Sequence, residues 1–332
     1  MKPSPAGCFT AAMARTQELL RGPDGRRRWR GYAFLSVMSG SVAVGAQPPP
    51  LGLLQPLWAN REIRNTLLGD ARVVVGFIVL AAVLIGFGVV ARAFTLTFME
   101  GLMTGAPTAG RSRSHFRAGA AHFAWSSALS IPLYLILFAA EWLVTHQSMA
   151  GYERILADPS AGEAELMGLL AGGMLGFLAV LLPWVIVTLP LMVWMYELTP
   201  AVMLRDRSGP VVASRVALGE ISALGAPLYG FLRLTLQLVG GMLSGIALAP
   251  AIVVAGVLGS PFLLAAWFVP PALGGWSTGA GGAIGVASLL LAVVILYCVL
   301  CALLVPLTTT VLSVPLAAVR VLPTSAPGER TL

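Results

Sequence analysis

Six charged residues sit where charge is expensive, at the ends or inside of long apolar runs. Glu100 and Glu197 each close such a run, and each is followed across a basic turn by an arginine, Arg117 in the first case and Arg215 in the second. Arg92 and Arg233 lie deeper, inside the runs themselves. An ionisable side chain in a lipid-facing segment costs about 2.5–3.5 kcal/mol on insertion scales, so it is retained for pairing, for a polar pathway or for contact with headgroups. Two chemistries are therefore open to these six. The carboxylates can pair with Arg117 and Arg215, or line a polar vestibule. Alternatively the two carboxylates sit hydrated at headgroup level. Arg92 and Arg233 can snorkel along their own stems or neutralise a lipid phosphate between helices.

Other reactive side chains form no constellation. His115 and His122 are seven apart and can share a helical face, but no Asp or Glu accompanies them at ligand spacing, and His146 is remote. A metal site is not expected. Cys298 and Cys301 share one face of an apolar helix without a nearby His or carboxylate, so they read as small apolar filler, and Cys8 stands alone. No zincin, P-loop, nucleophile-elbow or dinucleotide fingerprint occurs, and no cofactor is expected. Glu141, before Trp142, reads as interfacial.

The elements that hold these residues are membrane helices. The chain of 332 residues is 57% hydrophobic and 11% charged, against about 25% charged in soluble domains. Residues 234–319 contain no Asp, Glu, Lys, Arg or His. The expected fold is an all-α polytopic transmembrane bundle of about six spans built from helical hairpins. Spans are expected near 73–98, 123–144, 166–196, 224–248 and 283–319. Prolines interrupt two further apolar stretches. The first, 32–58, is taken to cross, while 250–273 is a span, a kinked span extension or a re-entrant piece. Residues 1–30 form a basic arm with a turn at Gly22-Pro23-Asp24-Gly25, 31–322 the membrane domain and 323–332 a short tail.

The net charge is +7, and 20 of the 21 cations are arginine. In a soluble protein this would point to nucleic acid. Beside apolar spans it points to orientation and anionic lipid headgroups instead, with no nucleic-acid partner. The arm and the loops near 101–122 and 199–222 are basic and are expected inside. The loop near 145–165 has Arg154 against Glu153, Asp158, Glu163 and Glu165, and is expected outside. Both termini are then cytoplasmic, and 59–72 lies as an amphipathic helix on the outer interface.

The two inner loops resemble each other. Each has a carboxylate, a Gly/Pro/Arg turn and a returning arginine, which is the pattern of a duplicated hairpin. Three glycine pairs, Gly172/Gly176, Gly241/Gly245 and Gly281/Gly285, make small-residue faces for close helix packing.

Arg92-Ala93-Phe94, Met99-Glu100-Gly101-Leu102 with its basic turn, the segment Leu198-Thr199-Pro200 through Ser214-Arg215, and the closing Val314-Pro315-Leu316-Ala317-Ala318-Val319-Arg320 together resemble a group of bacterial six-span proteins. These are similar to the membrane domain attached to some glycerophosphodiester phosphodiesterases. The resemblance implies six helices in a bacterial inner membrane and transfers no catalytic residue. The expected role is that of a non-catalytic membrane protein contacting lipid, a partner membrane subunit or a second copy of itself. The alternative is a transporter or permease with a site near Arg92, Glu100, Glu197 and Arg233. A lipid enzyme is disfavoured because the candidate groups are spread along the chain.

Overall fold

The computed structural model describes residues 4–39, 71–106, 112–157 and 190–322, apart from 23, 274, 277 and 278, together with a few positions between 69 and 179. The described residues are helical and contain no strand. The chain is an all-α helical bundle. The helices are α1 (Pro5–Arg21), α2 (Gly25–Ser39), α3 (Ala71–Thr104), α4 (Ser112–Ala157), a π-helical turn (Trp194–Leu198), α5 (Thr199–Asp206), α6 (Pro210–Leu224), α7 (Ala226–Ala272), α8 (Gly279–Leu303) and α9 (Val305–Ala318).

Among the described residues, three stretches are long and apolar enough to cross a membrane: Val74–Thr104, Pro227–Ala272 and Gly279–Leu303. At about 1.5 Å per residue, the 47 residues of α7 extend about 70 Å, against about 30 Å of hydrocarbon. The stretch at 250–273 is thus a continuation of the preceding helix rather than a separate crossing. It contains Pro250, Pro261, Pro270 and Pro271, each of which removes one backbone donor. At Pro261 the carbonyl so released belongs to Val257, and Ser260 Oγ donates to it at 2.9 Å.

Two other expectations are corrected. The last expected span, 283–319, is two helices: α8 ends at Leu303 and α9 is a separate, largely buried helix. Pro306 is the reason, since it cannot donate to the carbonyl of Ala302 four residues earlier. Trp29 Nε1 supplies that donor at 3.2 Å. The acidic loop expected from 145 is helical as far as Ala157. The expected crossing at 32–58 beyond Ser39, most of the expected interfacial helix at 59–72 and most of the span at 166–196 lie outside the described residues.

The buried core gathers at one end of the bundle. It holds Cys8, Ala12 and Leu19 of α1, Tyr32 and Leu35 of α2, and Phe98, Met99 and Leu102 at the end of α3. Leu198, Val202 and Ala217 of the middle segment join Tyr229 at the start of α7 and Val314 and Leu316 of α9. From this base two hairpins project, α3 with α4 and α7 with α8. Their far portions leave Ile78, Phe87, Ile136, Ile246, Trp267 and Val294 exposed. Within the first hairpin the backbones nearly touch: a Cβ built on Gly119 would lie 2.6 Å from Ala93 N. Of the glycine pairs, Gly285 packs against Trp276, whereas a Cβ on Gly241 or Gly245 would meet nothing within 4 Å. That pair makes no close packing among the described residues.

The N-terminal basic segment is part of the base. The turn at Gly22–Gly25 separates α1 from α2 as its composition predicts, and both helices grip the end of α3. That end has carbonyls with no helical donor left to them. Arg15, 7% exposed, donates from Nε to Leu102 O at 2.9 Å and from Nη2 to Met103 O at 3.1 Å. Tyr32 OH donates to Gly101 O at 2.9 Å. Glu18 balances the buried guanidinium at 2.9 Å. Thr310 Oγ1 donates to Thr16 Oγ1 at 3.0 Å, tying α9 to α1. At the opposite side Arg205 holds Asp206 and Glu220 and donates to Val319 O at 3.3 Å, joining α5, α6 and the end of α9. The hydrogen bonds from Arg205 hold the Asp206 carboxyl below its ordinary range. The stability this pair supplies is therefore full above the unfolded carboxylate pKa of about 4 and fades as the pH falls below it.

These contacts put the ends of α3 and α5, the α8–α9 junction and the N-terminal helices at one end of the bundle. Removing the Arg15 head leaves two buried carbonyls unsatisfied. Arg15→Met is expected to cost about 2–4 kcal/mol, read as a lower thermal unfolding midpoint of the detergent-solubilised protein.

Candidate functional site

The densest polar arrangement among the described residues surrounds the π-helical turn. A π turn wraps one extra residue, so hydrogen bonds run five residues back instead of four. Here Thr199 N donates to Trp194 O, and Thr199 Oγ1 reinforces it at 2.8 Å. The next residue in that register is Pro200, which has no N–H for Met195 O. His122 Nε2, on α4, lies 2.9 Å from that carbonyl. A carbonyl only accepts, so His122 carries its proton on Nε2. The ring is buried, 1% exposed.

The two residues that follow are each held by a different helix. Tyr196 OH is 2.6 Å from Ser130 Oγ of α4, and Arg92 of α3 lies over its ring, 4.3 Å from the centroid. Glu197 Oε1 accepts a charged hydrogen bond and ion pair from Arg233 Nε of α7. Trp194, before them, stacks edge-on against Trp125 of α4 and donates from Nε1 to Ser214 O at 2.7 Å. Four helices, α3, α4, α6 and α7, thus converge on four consecutive residues.

The Glu197–Arg233 pair is enclosed: its side chains are 14% and 8% exposed. Tyr229 is one turn before Arg233 on α7 and is buried. Glu197 Oε2, Arg233 Nη1 and Tyr229 OH are buried atoms without a hydrogen-bond partner among the described residues.

The six residues singled out by sequence fall into three environments. Glu197, Arg233 and Arg92 meet at the π turn. Glu100 is 3.7 Å from His115 Nε2, whose Nδ1 is 3.3 Å from Thr97 Oγ1. That makes a second, smaller polar group. Arg117 and Arg215 are exposed. Of the two readings open for the carboxylates, neither pairing with Arg117 or Arg215 nor hydration describes Glu197, which is enclosed and pairs with Arg233, while Glu100 lies near His115. Tyr196 and Tyr229 take part without having been singled out, and His122, weighed above only as a metal ligand, faces a backbone carbonyl. Pro200, five residues beyond Met195, is the sequence signal that a carbonyl there needs an outside donor. Among the described residues no cluster of three or more His, Cys, Asp or Glu is arranged to hold a metal ion.

A model of a family of unknown function, DUF7544, matches residues 6–318. The chain belongs to this family. The match takes in α1 and ends with α9, so it includes both N-terminal helices and the base they build. No curated protein matches the chain, and no solved structure does.

Removing one member of an enclosed ion pair strands the other. Arg233→Met is expected to cost about 3–5 kcal/mol, whereas Arg117→Gln and Arg215→Gln should each stay within about 0.5 kcal/mol of the parent. Denaturant unfolding in detergent, followed by helical circular dichroism, measures all three.

Proposed function

We propose that this protein is a multi-pass integral protein of the bacterial inner membrane whose role is non-catalytic, exercised through its helix faces on lipid, on a partner membrane subunit or on a second copy of itself. One contrast carries this reading. The main polar contacts of the interior run between groups of the chain itself, with Glu197 on Arg233, His122 on Met195 O and Ser130 on Tyr196. The α7–α8 hairpin meanwhile presents Met242, Ile246, Val253, Val257, Trp267 and Phe268 outward. Soluble monomers seldom expose apolar area on that scale. The open Gly241/Gly245 face on the same helix supports an approach by another helix. The resemblance to membrane domains of phosphodiesterases accords with this role and adds no reaction to it.

A second reading, a permease, has one observation in its favour: the three partnerless buried atoms around Glu197, Arg233 and Tyr229. Charged groups enclosed among membrane helices often mark a substrate or ion path.

The test is to leave the chain in its native membrane, wash with alkaline carbonate, then crosslink and solubilise mildly. The proposed role predicts retention in the carbonate-washed membrane, and a solubilised particle that carries bound lipid or runs as an oligomer or hetero-complex. Release by carbonate, or a lipid-free lone monomer after crosslinking, contradicts it. Ion or solute flux in proteoliposomes that is abolished by Arg233→Met but preserved by Arg215→Gln would favour the permease.

A further inference from the structure

The outward face of α2 divides sharply along its length. Its exposed positions are Arg26, Arg27 and Arg30 in the first half and Phe34 one turn later. Gly25, Tyr32, Leu35, Ser36 and Ser39 are buried on the other face. Residues 26, 30 and 34 repeat at four-residue spacing, so the basic and aromatic side chains share one stripe. Arg28, at the edge of this face, is 4.0 Å from Asp24, and Glu18 is held by Arg15. Arg26, Arg27 and Arg30 have no ion pair among the described residues.

The depth of this stripe is set by α8, a helix long and apolar enough to span a membrane. Trp29 Nε1 donates to Ala302 O in the last turn of α8, and Tyr297 OH donates to Val37 O at 3.4 Å. The two helices therefore run antiparallel. The arginines lie level with the end of the span, and Phe34 and Val37 lie level with its interior. Trp29 itself is at the height where indole rings concentrate in membrane proteins. Residues 234–319, which include all of α8, carry no acidic side chain that could reach the three cations.

We propose that the Arg26/Arg27/Arg30–Phe34 stripe of α2 is a binding site for an anionic phospholipid, with its phosphate on the guanidiniums and its acyl chain along Phe34 and the flank of α8. Charge complementarity selects the occupant. Three uncompensated cations at headgroup depth need phosphate, and an apolar ring one turn deeper needs a chain attached to it. Guanidinium forks match phosphate oxygens bidentately, which fits the use of arginine at these three positions. The proposal rests on the membrane reading above and names the lipid class that one face would take.

The experiment uses the full chain in nanodiscs made from a mixture of phosphatidylglycerol and phosphatidylcholine, with the lipid retained after mild detergent exchange quantified by mass spectrometry. The parent is expected to retain phosphatidylglycerol in excess of the input ratio, and to lose that excess as salt is raised. The triple variant R26Q/R27Q/R30Q should lower the preference by about tenfold or more, on the scale of one strong electrostatic contact per cation near an anionic surface. R26K/R27K/R30K should keep most of it. Arg30→Gln alone, which leaves the buried face of α2 intact, should give a partial loss and serves if the triple variant loses its thermal transition. Unchanged preference in both Gln variants, or no preference in the parent, overturns the site. If the parent shows no preference but resists carbonate extraction, only the lipid site fails. If carbonate releases it, the membrane reading fails.

Discussion

A backbone carbonyl in an apolar bundle must find a donor, and this chain repeatedly creates carbonyls whose own helix has none to give. Proline is one cause and the helix end is the other. Pro200 leaves Met195 O to His122. Pro306 leaves Ala302 O to Trp29. Pro261 leaves Val257 O to Ser260. The end of α3 leaves Leu102 and Met103 to Arg15, and Val319 is taken by Arg205. Water would serve these carbonyls in a soluble protein. Within lipid or a sealed core an unmet one costs several kcal/mol, so the donor must come from the protein. All but one of these donors reach across from another helix, which makes the repair of local helix defects the source of tertiary order at the base of the bundle.

The same constraint explains the shape of the candidate site. The π turn sets Met195, Tyr196 and Glu197 facing α4, α3 and α7 respectively. Once Met195 O is fixed by His122, the neighbouring side chains have little choice of direction. Glu197 then meets Arg233, and Tyr196 lies beneath Arg92. The ion pair is a consequence of backbone geometry as much as of attraction, since two charges withdrawn from water rarely stabilise a fold on Coulomb terms alone. Beyond the base, the α7–α8 hairpin carries no charged side chain, and its apolar faces remain outward. The molecule is thus divided into a polar-stitched base and an apolar canopy, and the roles proposed for it, lipid contact and partner contact, belong to the canopy and to its rim at α2.

Much of this was legible in the sequence, and the limits have physical causes. The charge-free tract, the apolar runs and the grouping of basic segments follow from the cost of burying charge, which acts residue by residue and leaves a pattern in composition. The partner of Glu197 does not. Arg215 and Arg233 are both later arginines on returning helices, and only the rotation of α7 decides which one faces inward. Tyr229 and Arg233 are one turn apart, a pair that marks an inner face once the helix is placed. The break between α8 and α9 was hidden because both sides are equally apolar. Pro306 was visible, but α7 carries four prolines and continues. What separates the two cases is tertiary: at Ala302 a tryptophan waits from another helix, and α9 is packed by α1.

The most direct test of the central constraint is a double-mutant cycle between His122 and Pro200, read as unfolding free energy in detergent. His122→Phe strands Met195 O in the parent and should cost about 1–3 kcal/mol there. Pro200→Ala returns a backbone N–H that can serve the same carbonyl, so in that background the cost of His122→Phe should shrink to a small fraction of its parental value. An equal cost in both backgrounds would contradict the account, because it would mean that His122 stabilises the bundle by something other than satisfying the carbonyl that Pro200 leaves without a donor.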